Sequence, residues 1–244
     1  MRNTVWGFGD SYITLVPLKG PPLHPTWAQI VANDLDMDLQ DFGVSGSSLE
    51  YIAHTYTEEF HKIKSGDVVL ITITSLTSRK WLVEDQLRMQ TPHQVSRMAE
   101  DGFITEQDRD FYLRVIAEEI CKTKESLLKL LLQSLESLIN KGIKVVVLPN
   151  FNHPAALLKD YSDLYPLLHT TEGDLMEHVT FLEVKGTRED KRYVMQNDPR
   201  RNHMMYDNHI VLAEKVLDYL KGKTSKIDLT QGFHADILES NRPC

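Results

Sequence analysis

One serine in this chain stands where a hydroxyl could be put to chemical use. Ser11 closes the run Gly7-Phe8-Gly9-Asp10-Ser11, directly behind a short apolar stretch that reads as a buried strand. A serine there can expose its Oγ at the edge of a sheet, with the backbone amides of a turn nearby. A free hydroxyl is a weak nucleophile at neutral pH and needs a base beside it. Candidate bases are supplied by Asn202-His203-Met204-Met205-Tyr206-Asp207-Asn208-His209, immediately before the last helical pattern. The other histidines are scattered without metal-ligand spacing. The only cysteines, Cys121 and Cys244, form neither a disulfide framework nor a metal pattern.

The elements that must position these residues can be read from the hydrophobic pattern. Residues 4–9 and 39–44 suggest short strands that end in glycine turns. Residues 67–74 and 143–148 are near-continuous apolar, β-branched runs, as in parallel strands covered on both faces. Helical spacing follows from Thr26, and again from Ser47 or Ser48, either of which can cap a helix with Glu50 in its first turn. A long helical pattern covers 110–140, with Leu127, Leu131, Leu135 and Leu138 on one face and Gly142 just past its end. Another strand is expected over 179–184 and a last helix over 208–221. Strands alternating with helices imply βαβ units and a mostly parallel sheet between helices. Ligands bind such sheets beyond the carboxyl ends of the strands, near a switch in strand order. Ser11, Gly46, Thr74, Ser75 and Asn150 all fall at such ends. Residues 81–109 and 155–175 read as insertions over the sheet, within one domain spanning 1–222. A tail, 223–244, carries no clear pattern.

The chain has 244 residues, 41% of them hydrophobic and 25% charged. That is enough to bury a core without disulfides or metals. Disorder, collagen, coiled coil and membrane-spanning classes are excluded by the aliphatic content and by the lack of repeats or long apolar runs. The formal charge of −8 argues against a nucleic-acid binder, which needs a basic footprint. Residues 1–12 lack the charged n-region and apolar h-region of a signal peptide, so none is expected, and the cysteine usage suits a reducing compartment. A cytoplasmic or virion-associated protein that is not membrane-inserted is expected.

Taken together, the blocks resemble the SGNH (GDSL-type) hydrolases. Phe8-Gly9-Asp10-Ser11 matches the first block, with Ser11 at the nucleophile. Phe42-Gly43-Val44-Ser45-Gly46-Ser47-Ser48 matches the second, with Gly46 at the glycine whose amide helps form the oxyanion hole. His203, Asn208, His209 and Ala213 fall at the offsets of the last block, with Met204 and Asn208 replacing the usual Pro and Gly. The resemblance makes His203 the general base and His209 a helix-start residue. It implies a three-layer α/β/α fold with a flavodoxin-like sheet, and acyl transfer to water without metal or organic cofactor.

Two places depart from the family pattern. The position of the usual triad Asp, three residues before the base, holds Arg200. Asp198 is the best substitute, with Asp207 second, and a Ser–His dyad with a backbone acceptor is the third alternative. The family's third block, Gly-x-Asn-Asp, is replaced by Thr74-Ser75-Leu76-Thr77-Ser78-Arg79. The missing Asn would donate to the oxyanion, so Thr74, Ser75, Arg79 or Asn150 must stand in.

The resemblance implies a serine esterase for short acyl esters such as acetyl, on a small molecule or a glycan. Lipase and thioesterase activities are variants on the same machinery. The competing class is a non-catalytic structural or carbohydrate-binding protein, such as a virion component, that kept the fold. The long leucine-faced helix could carry a homo-oligomer contact. Gly7-x-Gly9 lacks the third glycine and the helix of a dinucleotide motif, and Gly222-Lys223-Thr224 follows a helix rather than a strand, unlike a phosphate loop.

Overall fold

The computed structural model describes residues 2–14, 25–44, 46–76, 79–83, 86–90, 92–111, 113–114, 117–175, 204 and 206–234. Four parallel strands make the main sheet: β1 (Thr4–Phe8), β2 (Asp38–Asp41), β3 (Val68–Ile73) and β6 (Lys144–Pro149). Their order is β2-β1-β3-β6, with Val5 opposite both Leu39 and Val68, and Leu70 opposite Val146. The chain moves from β1 to one side for β2, then crosses to the other side for β3. The switch point of the sheet therefore lies between the ends of β1 and β3.

Alternation along the strands sorts side chains into two cores. Val5, Val68, Leu70, Val146 and Leu148 face helices α1 (Trp27–Asp34) and α7 (Tyr206–Leu220). Trp6, Phe8, Val69, Ile71, Ile73, Val145 and Val147 face α2 (Leu49–Glu59) and α5 (Ala117–Ile139). This is a three-layer α/β/α sandwich, as the strand–helix alternation requires. On the second face Phe42 stacks on Phe8 (5.3 Å), and Tyr56 meets Phe8 edge-on (5.5 Å). The Tyr56 hydroxyl lies 3.0 Å from Ser134 Oγ, and burial pushes the phenol up to about 12.

The helix boundaries follow local chemistry. Thr26 Oγ1 accepts the Gln29 amide at 3.1 Å and caps α1, while Ser48 Oγ accepts the Tyr51 amide at 3.4 Å and caps α2. Of the helix expected over 110–140, the described residues show the end of α4 (Glu106–Phe111) and the whole of α5. The buried stripe of α5 is Leu128, Leu131, Leu132, Leu135 and Leu138, with Leu127 only half-buried at its margin. A helical period of 3.6 residues brings Leu128 and Leu132 under Leu135, and rotates Leu127 outward. Gly142, at φ +78°, closes α5 in the left-handed conformation, with bonds from Gly142 N to Ile139 O and from Ile143 N to Leu138 O. Cys121 lies in α5 with its side chain outside the described residues, as is the whole of Cys244.

The 81–109 insertion is built from an antiparallel hairpin, β4 (Arg79–Val83) with β5 (Gln86–Gln90), followed by α3 (Pro92–Glu100) and α4. Its charged strand residues hide the alternation that would mark a hairpin. Residues 155–175 run through α6 (Asn152–Asp160) and a 3-10 turn (Pro166–Leu168) into β7 (Thr171–Glu172). β7 pairs in parallel with β8 (Ile227–Asp228), so residues 227–229 beyond α7 belong to the packed body, with Ile227 and Leu229 in the first core. The strand expected at 179–184 lies outside the described residues. Among the described residues, no helix is long and apolar enough to cross a membrane.

At the amino ends of β1 and β3, Asp67 is 1% exposed and holds the strands in register. Its carboxylate accepts the Thr4 amide (2.9 Å), the Trp6 indole N–H (2.9 Å) and the Lys64 amide (3.1 Å). Asp67→Ala leaves these donors without their acceptor, and about 3 kcal/mol of stability should be lost. Urea unfolding measures it; an unchanged midpoint would show that water replaces the carboxylate at no cost.

Candidate active site

β1 ends at Phe8, and the chain turns at once. The Asp10 carbonyl accepts the amides of Ile13 (3.2 Å) and Thr14 (3.4 Å), making one helical turn with Ser11 at its start. The Tyr12 carbonyl accepts the Trp27 indole N–H at 2.7 Å, and the Trp27 amide donates to His209 Nδ1 at 3.3 Å. The turn is thereby joined to both α1 and α7. Ser11 sits at the β1–β3 switch point and is 8% exposed.

The second glycine turn is drawn to the same spot. The Gly9 carbonyl accepts both the Val44 amide (3.2 Å) and the Ser47 hydroxyl (2.8 Å). Gly46 lies in this turn at φ +69°, a left-handed conformation natural to glycine. Neither the Ser11 amide nor the Gly46 amide bonds another described residue. Ser47 was one of two expected caps for α2; its hydroxyl is spent on Gly9, and Ser48 does the capping.

Asp10 occupies the centre of the strand ends. Its Oδ1 accepts the Tyr12 amide (3.0 Å) and Asn150 Nδ2 (2.8 Å), and its carboxylate also accepts the Thr74 hydroxyl. Three strand ends, those of β1, β3 and β6, thus meet on one buried carboxylate. The Thr74 hydroxyl and the Asn150 amide, each a sequence candidate for the missing oxyanion donor, are both engaged by Asp10. Ser75 is half-buried beside Thr74. Arg79 opens β4 opposite Gln90, with its side chain outside the described residues.

Burial pushes the Asp10 carboxyl above its ordinary value, and the bonds from Tyr12, Thr74, Asn150 and its own amide pull it part of the way back. A raised carboxyl binds its proton more tightly folded than unfolded. The charged form therefore opposes folding at neutral pH, and this opposition lifts as pH falls through the folded value toward the ordinary one near 3.8. Asp10→Asn removes the charge and keeps an acceptor for Tyr12 and Asn150. The variant should melt no lower than the parent at pH 8, with its relative advantage shrinking toward pH 4. A melting difference independent of pH would mean that Asp10 does not titrate in that window.

His203 and Asp198 lie outside the described residues, as do Arg200 and Arg201. Asp207 is exposed in the first turn of α7, and Met204 is buried in the first core beside that helix. His209 is buried in α7 with Nδ1 turned to Trp27, a structural position. Among the described residues no cluster of His, Cys, Asp or Glu could hold a metal ion.

No protein-family model matches the chain, and no curated protein matches it. Solved structures similar to it include the lipase Lip_vut3 from a goat rumen metagenome, at 18% identity over 94% of this chain and 100% of that one, with a TM-score of 0.39. Another is a member of the lipolytic protein G-D-S-L family from Veillonella parvula DSM 2008, at 12% identity over 79% of this chain and 93% of that one, with a TM-score of 0.26.

Asp10 is known from the sequence only as a member of the Phe8-Gly9-Asp10-Ser11 block, and in the fold it bonds its own backbone. It does so through Tyr12, and it also gathers Thr74 and Asn150. That Asn150 serves a carboxylate 140 positions away has no local signal. The same holds for Trp27 with His209, which are 182 positions apart.

Proposed function

We propose that this protein is a serine esterase that removes short acyl groups such as acetyl, with a glycan ester as a substrate class. Ser11 Oγ attacks the ester carbonyl while His203 takes its proton, with Asp198 as the residue that orients the imidazole. The amides of Ser11 and Gly46 hold the oxyanion, with Ser75 and Arg79 as side-chain donors. His203 returns the proton to the leaving alcohol, and water then repeats the sequence on the acyl-enzyme. The observation that carries this reading is Ser11 at the switch point, in a turn tied through Gly9 to the turn of Gly46. Amide N–H groups without another partner are what an oxyanion hole requires.

A second reading is favoured by one specific observation. Asp10 engages the polar groups after β3 and β6 that would otherwise face a substrate. In that reading the fold serves binding or structure, and Ser11 has no reactive role. A fluorophosphonate probe separates the two. Covalent labelling of the parent protein that is absent from Ser11→Ala supports the esterase. A parent that stays unlabelled while folded supports the binding protein.

A further inference from the structure

We infer that Asn150 is a positioning residue for Ser11, acting through the Asp10 carboxylate that it and Thr74 hold between the ends of three strands. The inference rests on the esterase reading and deepens it. Asp10 adjoins Ser11, and its Oδ1 also binds the Tyr12 amide on the far side of the serine. That oxygen holds the peptide plane after Ser11, while the Asp10 carbonyl, bonded to the Ile13 and Thr14 amides, holds the plane before it. Asn150 in turn is fixed: its own amide donates to the Ile73 carbonyl at 3.0 Å, and its side chain is fully buried. Asp10 and Thr74 are 4% and 2% exposed, so bulk water has little access to replace a lost donor. Without Asn150 Nδ2 the buried carboxylate loses one of its donors and must turn toward another source. Such a turn drags the segment from Asp10 to Tyr12 with it. A displacement of about 1 Å at a reacting atom costs on the order of 10²-fold in rate.

The experiment measures the fluorophosphonate labelling rate, together with kcat and KM for p-nitrophenyl acetate, in the full chain. Parent, Ser11→Ala, Asn150→Ala, Asn150→Asp and Thr74→Val are compared, with near-ultraviolet circular dichroism and melting as checks on folding. Asn150→Ala is expected to lower the labelling rate and kcat by about 10–100-fold with KM nearly unchanged. Thr74→Val should move the same quantities in the same direction. These two results separate a role in positioning from one in substrate binding.

Asn150→Asp adds a readout that a merely structural role would not move. The new carboxyl would stand where Nδ2 now lies 2.8 Å from Asp10 Oδ1. Two carboxylates so close share one proton, and that proton is held to unusually high pH. While it bridges the pair, the lost bond is restored; when it leaves, the pair repels. Labelling of this variant should hold at lower pH and fall on the alkaline side, where the parent keeps its rate. Should Asn150→Ala melt below the assay temperature, the volume-conserving Asn150→Asp and Thr74→Val variants decide. A parent labelled at Ser11, with folded variants that label at the parent rate and share its pH profile, overturns the inference alone. A parent that is not labelled at Ser11 overturns the esterase reading itself.

Discussion

Ser11→Ala is expected to cut p-nitrophenyl acetate turnover by about 10³-fold or more while the fold is kept. Removing the Oγ removes the bond-forming atom, and whatever remains comes from the oxyanion amides acting on water. The change is small in structural terms. Ser11 makes no hydrogen bond through its side chain to another described residue, so alanine leaves the turn of residues 10–14 held as before by the Asp10 carbonyl and carboxylate. Melting should therefore shift little. His203→Ala should cost a comparable factor. The parent's rate should rise with pH through the range where an imidazole loses its proton, near 6.5 for an unperturbed histidine. A Ser11→Ala protein that turns the ester over at the parent rate would mean that the activity belongs to another group. It would return the protein to the binding class.

Among the glycines described with their surroundings, Gly9→Ala should be the most damaging. A Cβ on Gly9 would lie 2.0 Å from Thr72 Oγ1 and 3.1 Å from Ile13 Cγ2. Thr72 is buried in β3, whose backbone is paired in register with β1 through Phe8 and Ile71, so neither strand can retreat alone. Overpacking of this kind typically costs about 1–3 kcal/mol, and a contact this short belongs at the upper end. The same clash would push Gly9 away from Val44 and Ser47, parting the Ser11 turn from the Gly46 turn. Loss of labelling should accompany loss of stability. Thr72→Ala supplies the control. Its hydroxyl is buried with no hydrogen-bond partner among the described residues, so removing it should cost little and open space for the new methyl. The double variant should recover about 1 kcal/mol or more relative to the sum of the two singles. Strict additivity would show that Gly9 is required for its backbone and not for its small volume.

Much of the architecture was legible because it rests on local pattern. The apolar runs around Val69–Ile71 and Val145–Val147 marked two strands of the main sheet, β3 and β6, and Thr26, Ser48 and Gly142 marked helix ends through hydrogen bonds made within a few residues. The insertion at 81–109 was legible only as an interruption. Its hairpin pairs Arg79 and Lys80 with Gln90 and Met89 outside the main sheet, and these polar and charged residues interrupt the apolar alternation of the sequence.

By itself the sequence determined a parallel α/β fold, the serine behind the first strand and the glycine turn that follows the second. These depend on periodicity, on turn chemistry and on the rule that sites lie beyond strand ends. Only the tertiary structure decided what the polar residues at those ends do with their hydrogen bonds. Thr74 and Asn150 were candidates for holding an oxyanion, and both donate to Asp10 instead. The reason is physical: a carboxylate buried at the meeting of three strands must gather every donor within reach, and the strand order determines which donors those are.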